Sequence, residues 1–186
     1  PFKDFREIKK TIIVYNKKHK KYLKKLKLKN VLKIVGGKTR QESTFKALKF
    51  IKKMKCKKVL IHDSARPLVS KNIIYKIIYH LRKKNIVIPV IKATDAVKRI
   101  KKEIVFKNIE RETLRLSQTP QGFSYKDIYN KHLKNKNVTL DDDSAFFTND
   151  DQNIFTVTGS KKNFKITDKD DFDILKALKK GKIYYG

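Results

Sequence analysis

Short β-branched runs alternate along the chain with stretches in which apolar residues recur every three or four positions, the pattern of a sheet flanked by helices. Thr11 to Tyr15 reads as a buried strand, Lys17 to Lys29 as a helix, and Val31 to Val35 as a second strand that stops at Gly36-Gly37. A helix from about Gln41 to Lys53 puts Phe45, Leu48 and Ile51 on one side, and Val59 to Ile61 makes the next strand. Asn72 to Lys83 is helical, with Ile73, Ile77 and Leu81 spaced by four, and Ile86 to Ile91 is a strand. The alternation then lapses. From Asp95 to about Leu116 the chain is charged and weakly β-like, which predicts a projecting arm with Ile100 to Phe106 as one side of a ribbon. Tyr125 to Lys134 returns to helix and Ile154 to Val157 to strand, and Thr167 to Asp170 is a capping box opening a helix that carries Phe172, Leu175 and Leu178. No repeat or low-complexity linker interrupts the pattern, so residues 1–186 form a single domain with an arm at about 95–116.

With 39% hydrophobic residues, including 11 Phe and 8 Tyr, the chain can fill a core, and wholesale disorder is not expected despite a formal charge of +30. Such a charge attracts polyanions in a salt-dependent way. Yet only seven of the 48 basic residues are Arg, the lysines are spread through nearly every segment, and no zinc-finger, RNP or RGG pattern is present. That argues for a solvated surface, with no specific nucleic-acid partner. The densest basic block, Lys17 to Lys29, carries Tyr22, Leu23 and Leu26 at helical spacing, which suits either a membrane surface or a surface helix packed on a sheet, the latter having the better prior. The longest apolar runs fall far short of the roughly 18 to 20 residues of a membrane span, so a soluble chain with no membrane partner is expected. The single cysteine, Cys56, excludes an intrachain disulfide and a cysteine-based zinc site. His19, His80 and His132 are isolated, without partners at metal spacing. Pro1 to Phe5 has neither an apolar signal core nor transit character, and the chain reads as beginning in the middle of something.

Ligands of open α/β sheets bind where strands end. Three ends are informative. After Val35, the Gly36-Gly37 pair lets a ligand approach the backbone, and Lys38, Arg40 and Ser43 can address an anion or base, although such a pair is usually only a turn. After Ile61, Asp63 with Arg66 three residues on can hold a ribose hydroxyl or metal together with a phosphate, or can form a local salt bridge that stiffens the turn. The third end, Asn163 to Thr167, sets Lys165 among apolar residues just before a capped helix, in a chain where a solvated lysine is the default.

In this order the segments resemble the 2-C-methyl-D-erythritol 4-phosphate cytidylyltransferase family of the non-mevalonate isoprenoid pathway. Its G-G-x-x-R-x-x-S is similar to Gly36-Gly37-Lys38-Thr39-Arg40-Gln41-Glu42-Ser43, and its H-D-A-A-R-P to His62-Asp63-Ser64-Ala65-Arg66-Pro67. Its D-T-hydrophobic-K-R resembles Asp95-Ala96-Val97-Lys98-Arg99, and its R-x-x-L followed by Q-T-P-Q-x-F resembles Arg111 to Leu114 and Gln118 to Phe123. The T-D-[DE]-A-S block is similar to Leu140-Asp141-Asp142-Asp143-Ser144-Ala145, and the last block, G-x-x-x-N-h-K-[IV]-T with h apolar, to Gly159 through Thr167.

The resemblance implies an α/β Rossmann-like nucleotidyltransferase fold, a mostly parallel sheet flanked by helices with a projecting β-arm, and a homodimer whose arm reaches into the neighbour's site. It implies a reaction of CTP with methylerythritol phosphate, releasing pyrophosphate with the help of Mg²⁺ held mainly through the CTP phosphates, with no metal ligand among the residues of this chain. It implies that Gly37, Lys38 and Ser43 contact the cytosine and that Asp63 and Ser64 contact the ribose side. Arg66, Asp95, Arg111 and Lys165 would hold the methylerythritol phosphate, with Arg111 and Lys165 aligning it for attack as the catalytic pair. Lys38 stands where many relatives have Asp, and Ala96 replaces a Thr whose hydroxyl often meets the substrate phosphate. Relatives open with a strand and an A-A-G-x-G-x-R-M loop that grips the CTP phosphates, and Thr11 to Tyr15 resembles their second strand, so the chain is expected to be N-terminally incomplete, without that loop. A cytoplasmic location is expected, or a plastid-type organelle in a eukaryote. The alternatives are a ribitol-5-phosphate cytidylyltransferase and a truncated, noncatalytic basic domain.

Overall fold

The computed structural model describes residues 1–24, 31–135, 138, 140–148 and 153–181. Strands β1 (Thr11–Tyr15) and β2 (Val31–Val35) have the bounds read from the sequence and pair in parallel, Thr11 opposite Val31 and Tyr15 opposite Val35. Between them Asn16 caps a 3₁₀ turn (Lys17–His19) that leads into α1 (Lys20–Lys24), and the rest of the expected helix lies outside the described residues. The Thr39 hydroxyl accepts the Glu42 N–H and opens α2 (Arg40–Ile51), which is followed by β3 (Lys58–Ile61). Ser70 caps α3 (Lys71–Leu81), and β4 (Ile86–Lys92) follows.

The arm is an antiparallel hairpin, β5 (Val97–Lys101) and β6 (Ile104–Ile109). Ile100 to Phe106 is therefore not one side of a ribbon. Lys102 and Glu103, at φ of 45° and 68°, make the turn inside that stretch. Such left-handed positions are normally signalled by Gly or Asn, and here nothing in the sequence announces them.

After the arm come β7 (Arg115–Ser117), β8 (Gln121–Ser124), α4 (Tyr125–Lys134), a 3₁₀ segment (Asp143–Phe147), β9 (Phe155–Thr158) and α5 (Lys169–Lys180). At the start of α5 the Asp168 side chain accepts the Asp171 N–H, while the Asp171 carboxylate takes the N–H and hydroxyl of Thr167. The fold is α/β, with a mixed central sheet. β8 lies between β3 and β4 and runs antiparallel to both, and β4 also pairs with β7 (antiparallel) and β9 (parallel).

Side-chain alternation along β4 places helices on both faces of the sheet. Ile86 and Ile88 join Leu48 and Ile51 of α2, Ile128 of α4, and Phe123, Phe146 and Phe147 in one cluster. Val87 joins Ile73, Ile74, Ile77 and Leu81 of α3 and Val157 in the other. Helix α3 presses so closely on β8 that a Cβ at Gly122 would stand 2.5 Å from Leu81 Cδ1 and 2.7 Å from Ile77 Cγ2. β1 is half-buried throughout, with Ile12 packed on the first cluster.

Candidate active site

The turn after β3 is closed by the Arg66 N–H donating to the Asp63 carbonyl at 3.0 Å. It is anchored from below by Thr119. The Thr119 hydroxyl accepts the Asp63 N–H at 3.0 Å and shares a hydrogen bond with His62 Nδ1 at 3.0 Å, and His62 Nε2–H donates to the Arg66 carbonyl at 3.1 Å. A Thr119 hydroxyl donating to Nδ1 fits a neutral imidazole protonated at Nε2. Burial likewise pushes the His62 pKa below its ordinary value.

The Asp63 carboxylate, 16% exposed, is a hub for three cations: Oδ1 lies 3.5 Å from Arg40 Nε, and Oδ2 lies 3.7 Å from Arg66 Nε and 3.5 Å from Lys165 Nζ. The segment after β9 is laced to this turn. Arg66 Nη1 donates to the Asn163 carbonyl at 2.8 Å and the Ile166 N–H to the Ala65 carbonyl at 2.9 Å. Asn163, fully buried, donates through Nδ2 to the Thr119 carbonyl at 2.9 Å, and buried Gln118 donates to the Ser160 carbonyl at 2.8 Å. Burial pulls the Arg66 pKa down while Asp63 opposes it. At Arg40 burial also works downward, but the attraction of Asp143 and Asp63 outweighs it and the net shift is upward.

Beside Arg66 opens a cavity of about 370 Å³, lined by Lys92, Thr94, Ser117, Lys161 and Phe164 among others. Three cations, Arg66, Lys92 and Lys161, thus border one hollow, which suits a small phosphorylated ligand. Lys92 and Lys161 had no signal in the sequence beyond a lysine-rich background.

The expected site residues fall into three groups. Asp63, Arg66 and Lys165 converge as described, and Ser64 is exposed on the same turn. Arg111 is exposed at the foot of the arm, where Nε pairs with Glu112 at 3.3 Å and Nη1 donates to the carbonyl of Thr94, a cavity residue, at 2.9 Å, and Asp95 is exposed next to Thr94. Arg111 and Lys165 are therefore not joined directly. Gly37, Lys38 and Ser43 form a closed loop in which Ser43 Oγ accepts the Gly37 N–H at 3.0 Å and Glu42 Oε2 accepts the Lys38 N–H at 2.8 Å. The first turn of α2 folds back so tightly that a Cβ at Gly36 would meet Ser43 Oγ at 2.7 Å, which gives the glycine pair a packing reason besides ligand approach.

Sequence reasoning passed over two groups. Gln121 is fully buried; its Nε2 donates to Asp142 Oδ2 at 2.8 Å and its Oε1 accepts the Ser144 N–H at 3.1 Å. Burial alone would raise the Asp142 pKa, but hydrogen bonds from Ser144, Ser117, Gln121 and the Ala145 N–H lower it. His132, read as isolated, is buried against Asp143, with Nε2 at 2.8 Å from Oδ1. Among the described residues no group of three or more His, Cys, Asp or Glu is placed to hold a metal ion.

A family model described as 2-C-methyl-D-erythritol 4-phosphate cytidylyltransferase matches residues 1–180. The bifunctional enzyme IspD/IspF of Pelagibacter ubique (strain HTCC1062) is 38% identical over 99% of this chain and 52% of its own length, so the chain spans about half of that relative. The 2-C-methyl-D-erythritol 4-phosphate cytidylyltransferase of Thermosipho melanesiensis (strain DSM 12029 / CIP 104789 / BI429) is 36% identical over 87% of this chain and 72% of its own. Among solved structures, the 4-diphosphocytidyl-2C-methyl-D-erythritol synthase of Anaerococcus prevotii DSM 20548 superposes with a TM-score of 0.85 at 32% identity, covering 94% of this chain and 80% of that one. On these grounds the chain belongs to the 2-C-methyl-D-erythritol 4-phosphate cytidylyltransferase family.

Proposed function

We propose that the protein joins CTP to 2-C-methyl-D-erythritol 4-phosphate, giving 4-diphosphocytidyl-2-C-methyl-D-erythritol and pyrophosphate in non-mevalonate isoprenoid biosynthesis. The observation that carries this reading is the Asp63 hub, which gathers Arg66 and Lys165 and is joined through Arg66 to a cation-bordered cavity of a size that suits a phosphorylated polyol. A phosphate oxygen of the polyol attacks the α-phosphorus of CTP, a P–O bond forms, and the bond to the β-phosphate breaks as pyrophosphate leaves. Little covalent chemistry falls to the protein, which has to neutralise charge and align two anions. Arg66 and Lys165 hold the polyol phosphate, and Lys165, 45% exposed, is free to leave Asp63 for a stronger anionic partner. Asp63 accepts from a ribose hydroxyl, and the Gly37–Ser43 loop faces the cytosine. The charge neutralisation that Mg²⁺ would supply would come with the CTP phosphates, and Asp63, already shared among three cations, would be a poor ligand for the ion.

Arg111 completes the phosphate site from a second copy of the chain. Supporting this, the arm exposes Ile100, Ile104, Val105 and Phe106 by 59%, 70%, 52% and 58%, a large apolar surface for a hairpin to leave in water. We read the protein as cytoplasmic; no described helix is long and apolar enough to cross a membrane. The test is pyrophosphate release with CTP, Mg²⁺ and each polyol phosphate in turn. Turnover with methylerythritol phosphate is expected, and turnover with ribitol 5-phosphate alone would overturn the reading.

A further inference from the structure

Arg40 has two carboxylates within reach and divides itself unequally between them. Nη2 lies 2.7 Å from Asp143 Oδ2, whereas Nε keeps only a 3.5 Å approach to Asp63 Oδ1. Without Asp143, the planar guanidinium could place two parallel donors on Asp63, the geometry that arginine and carboxylate favour, and would saturate the oxygen needed by a ligand hydroxyl. Asp143 is fully buried, and a buried carboxylate persists only when both oxygens are served. Its second oxygen is served by His132 Nε2–H at 2.8 Å. The imidazole is fixed in turn, stacked on Phe45 with centroids 5.9 Å apart and planes 8° from parallel, and met edge-on by Phe146 at 4.8 Å. Arg40 Nη1 is buried without a hydrogen-bond partner among the described residues, an unusual state for an arginine that serves only as a structural tie. The motif comparison sharpens the point: with Ser144 matched to the serine of T-D-[DE]-A-S, Asp143 stands at the alanine position.

We propose that His132 and Asp143 are positioning residues that hold Arg40 off Asp63 and so keep the Asp63 carboxylate open to a ligand hydroxyl at the nucleotide end of the site. The inference deepens the proposed function and rests on it for the identity of the ligand, CTP. Its test pairs CTP titration by calorimetry with the ¹⁵N-edited Nε–H resonance of Arg40, assigned by its loss in Arg40→Lys. His132→Leu removes the donor and should weaken CTP binding about tenfold and move the Arg40 Nε–H signal downfield with slower exchange, as the guanidinium closes on Asp63. His132→Gln, which can donate to Asp143 from its amide, should keep the signal and hold affinity within about twofold of the original. Adding Asp143→Ala to His132→Leu should cost no further affinity, because both act through one guanidinium. Unchanged affinity and an unchanged signal in a folded His132→Leu protein would overturn the inference. A wild-type protein that fails to bind CTP while its Arg40 signal still follows His132→Leu and His132→Gln would refute the nucleotide reading and leave the positioning role standing.

Discussion

Asp63 and Arg111 belong to the same expected binding site, but they are held in different ways. Asp63 sits just past the end of β3 over a layer of buried polar groups, Thr119, Gln118 and Asn163, that hydrogen-bond to one another and fix the turn from within one chain. Arg111 stands in the open at the foot of a hairpin whose apolar side chains face water, tied among the described residues to its neighbour Glu112 and to the Thr94 carbonyl. A site that must align two anions needs at least one half set before the ligands arrive, and the Asp63 half meets that demand. The Arg111 half is not set in this way, and in the proposed dimer it is the second copy that finishes it.

Substitutions under Asp63 should therefore cost stability, and those on the arm should not. The largest effect is expected for Phe123→Ala, which empties the centre of the first core cluster beside β8 and should lower the unfolding free energy by about 3–5 kcal/mol in a urea titration. Lys165→Ala should slow turnover about 100-fold, or about 2.7 kcal/mol, with the urea midpoint unchanged, which separates chemistry from folding at the hub. Gln121→Leu leaves the Ser144 N–H and the Asp142 carboxylate short of a partner in the interior and should cost about 1–3 kcal/mol.

A smaller effect comes with pH. Because burial holds His62 below its ordinary pKa of about 6.5, the unfolded chain takes up the proton first as pH falls. Stability is thus lost from about pH 6.5 downward until the folded imidazole also protonates, by at most about 1.4 kcal/mol per pH unit, and His62→Gln should flatten that slope in pH-dependent thermal unfolding. Phe106→Ser should change monomer stability by less than about 0.5 kcal/mol yet shift sedimentation toward monomer; a loss of stability as large as that of Gln121→Leu would erase the distinction between the two regions.

What the sequence made legible follows the same division. β1, β2 and α4 could be read to the residue because apolar periodicity and polar breaks coincide there. β7 and β8 escaped, although β8 is central, because Gln118 to Ser124 is dominated by Gln, Thr, Pro, Gly and Ser; these residues are buried through mutual hydrogen bonds, which leave no hydrophobic trace. The turn of the arm escaped for want of a glycine at Lys102 and Glu103. Asp63 and Arg66 could be singled out because charged residues soon after an apolar strand are conspicuous, whereas Lys165 stood out only through the resemblance of the Gly159 to Thr167 block. Lys92 and Lys161 could not, in a chain whose net charge is +30. The His132–Asp143 pair joins α4 to the 3₁₀ segment between residues 11 positions apart, so no local spacing reports it.

The central claim is that a diffusely basic surface becomes specific at one place, the junction of the Asp63 turn with the Asn163–Ile166 segment. Amide chemical shifts recorded during a titration with 2-C-methyl-D-erythritol 4-phosphate test it most directly. The account predicts shifts concentrated at Ala65, Arg66, Thr94, Lys165 and Ile166 that persist at high salt. Shifts scattered over the exposed lysines of α2 and α5, fading as salt is added, would contradict it.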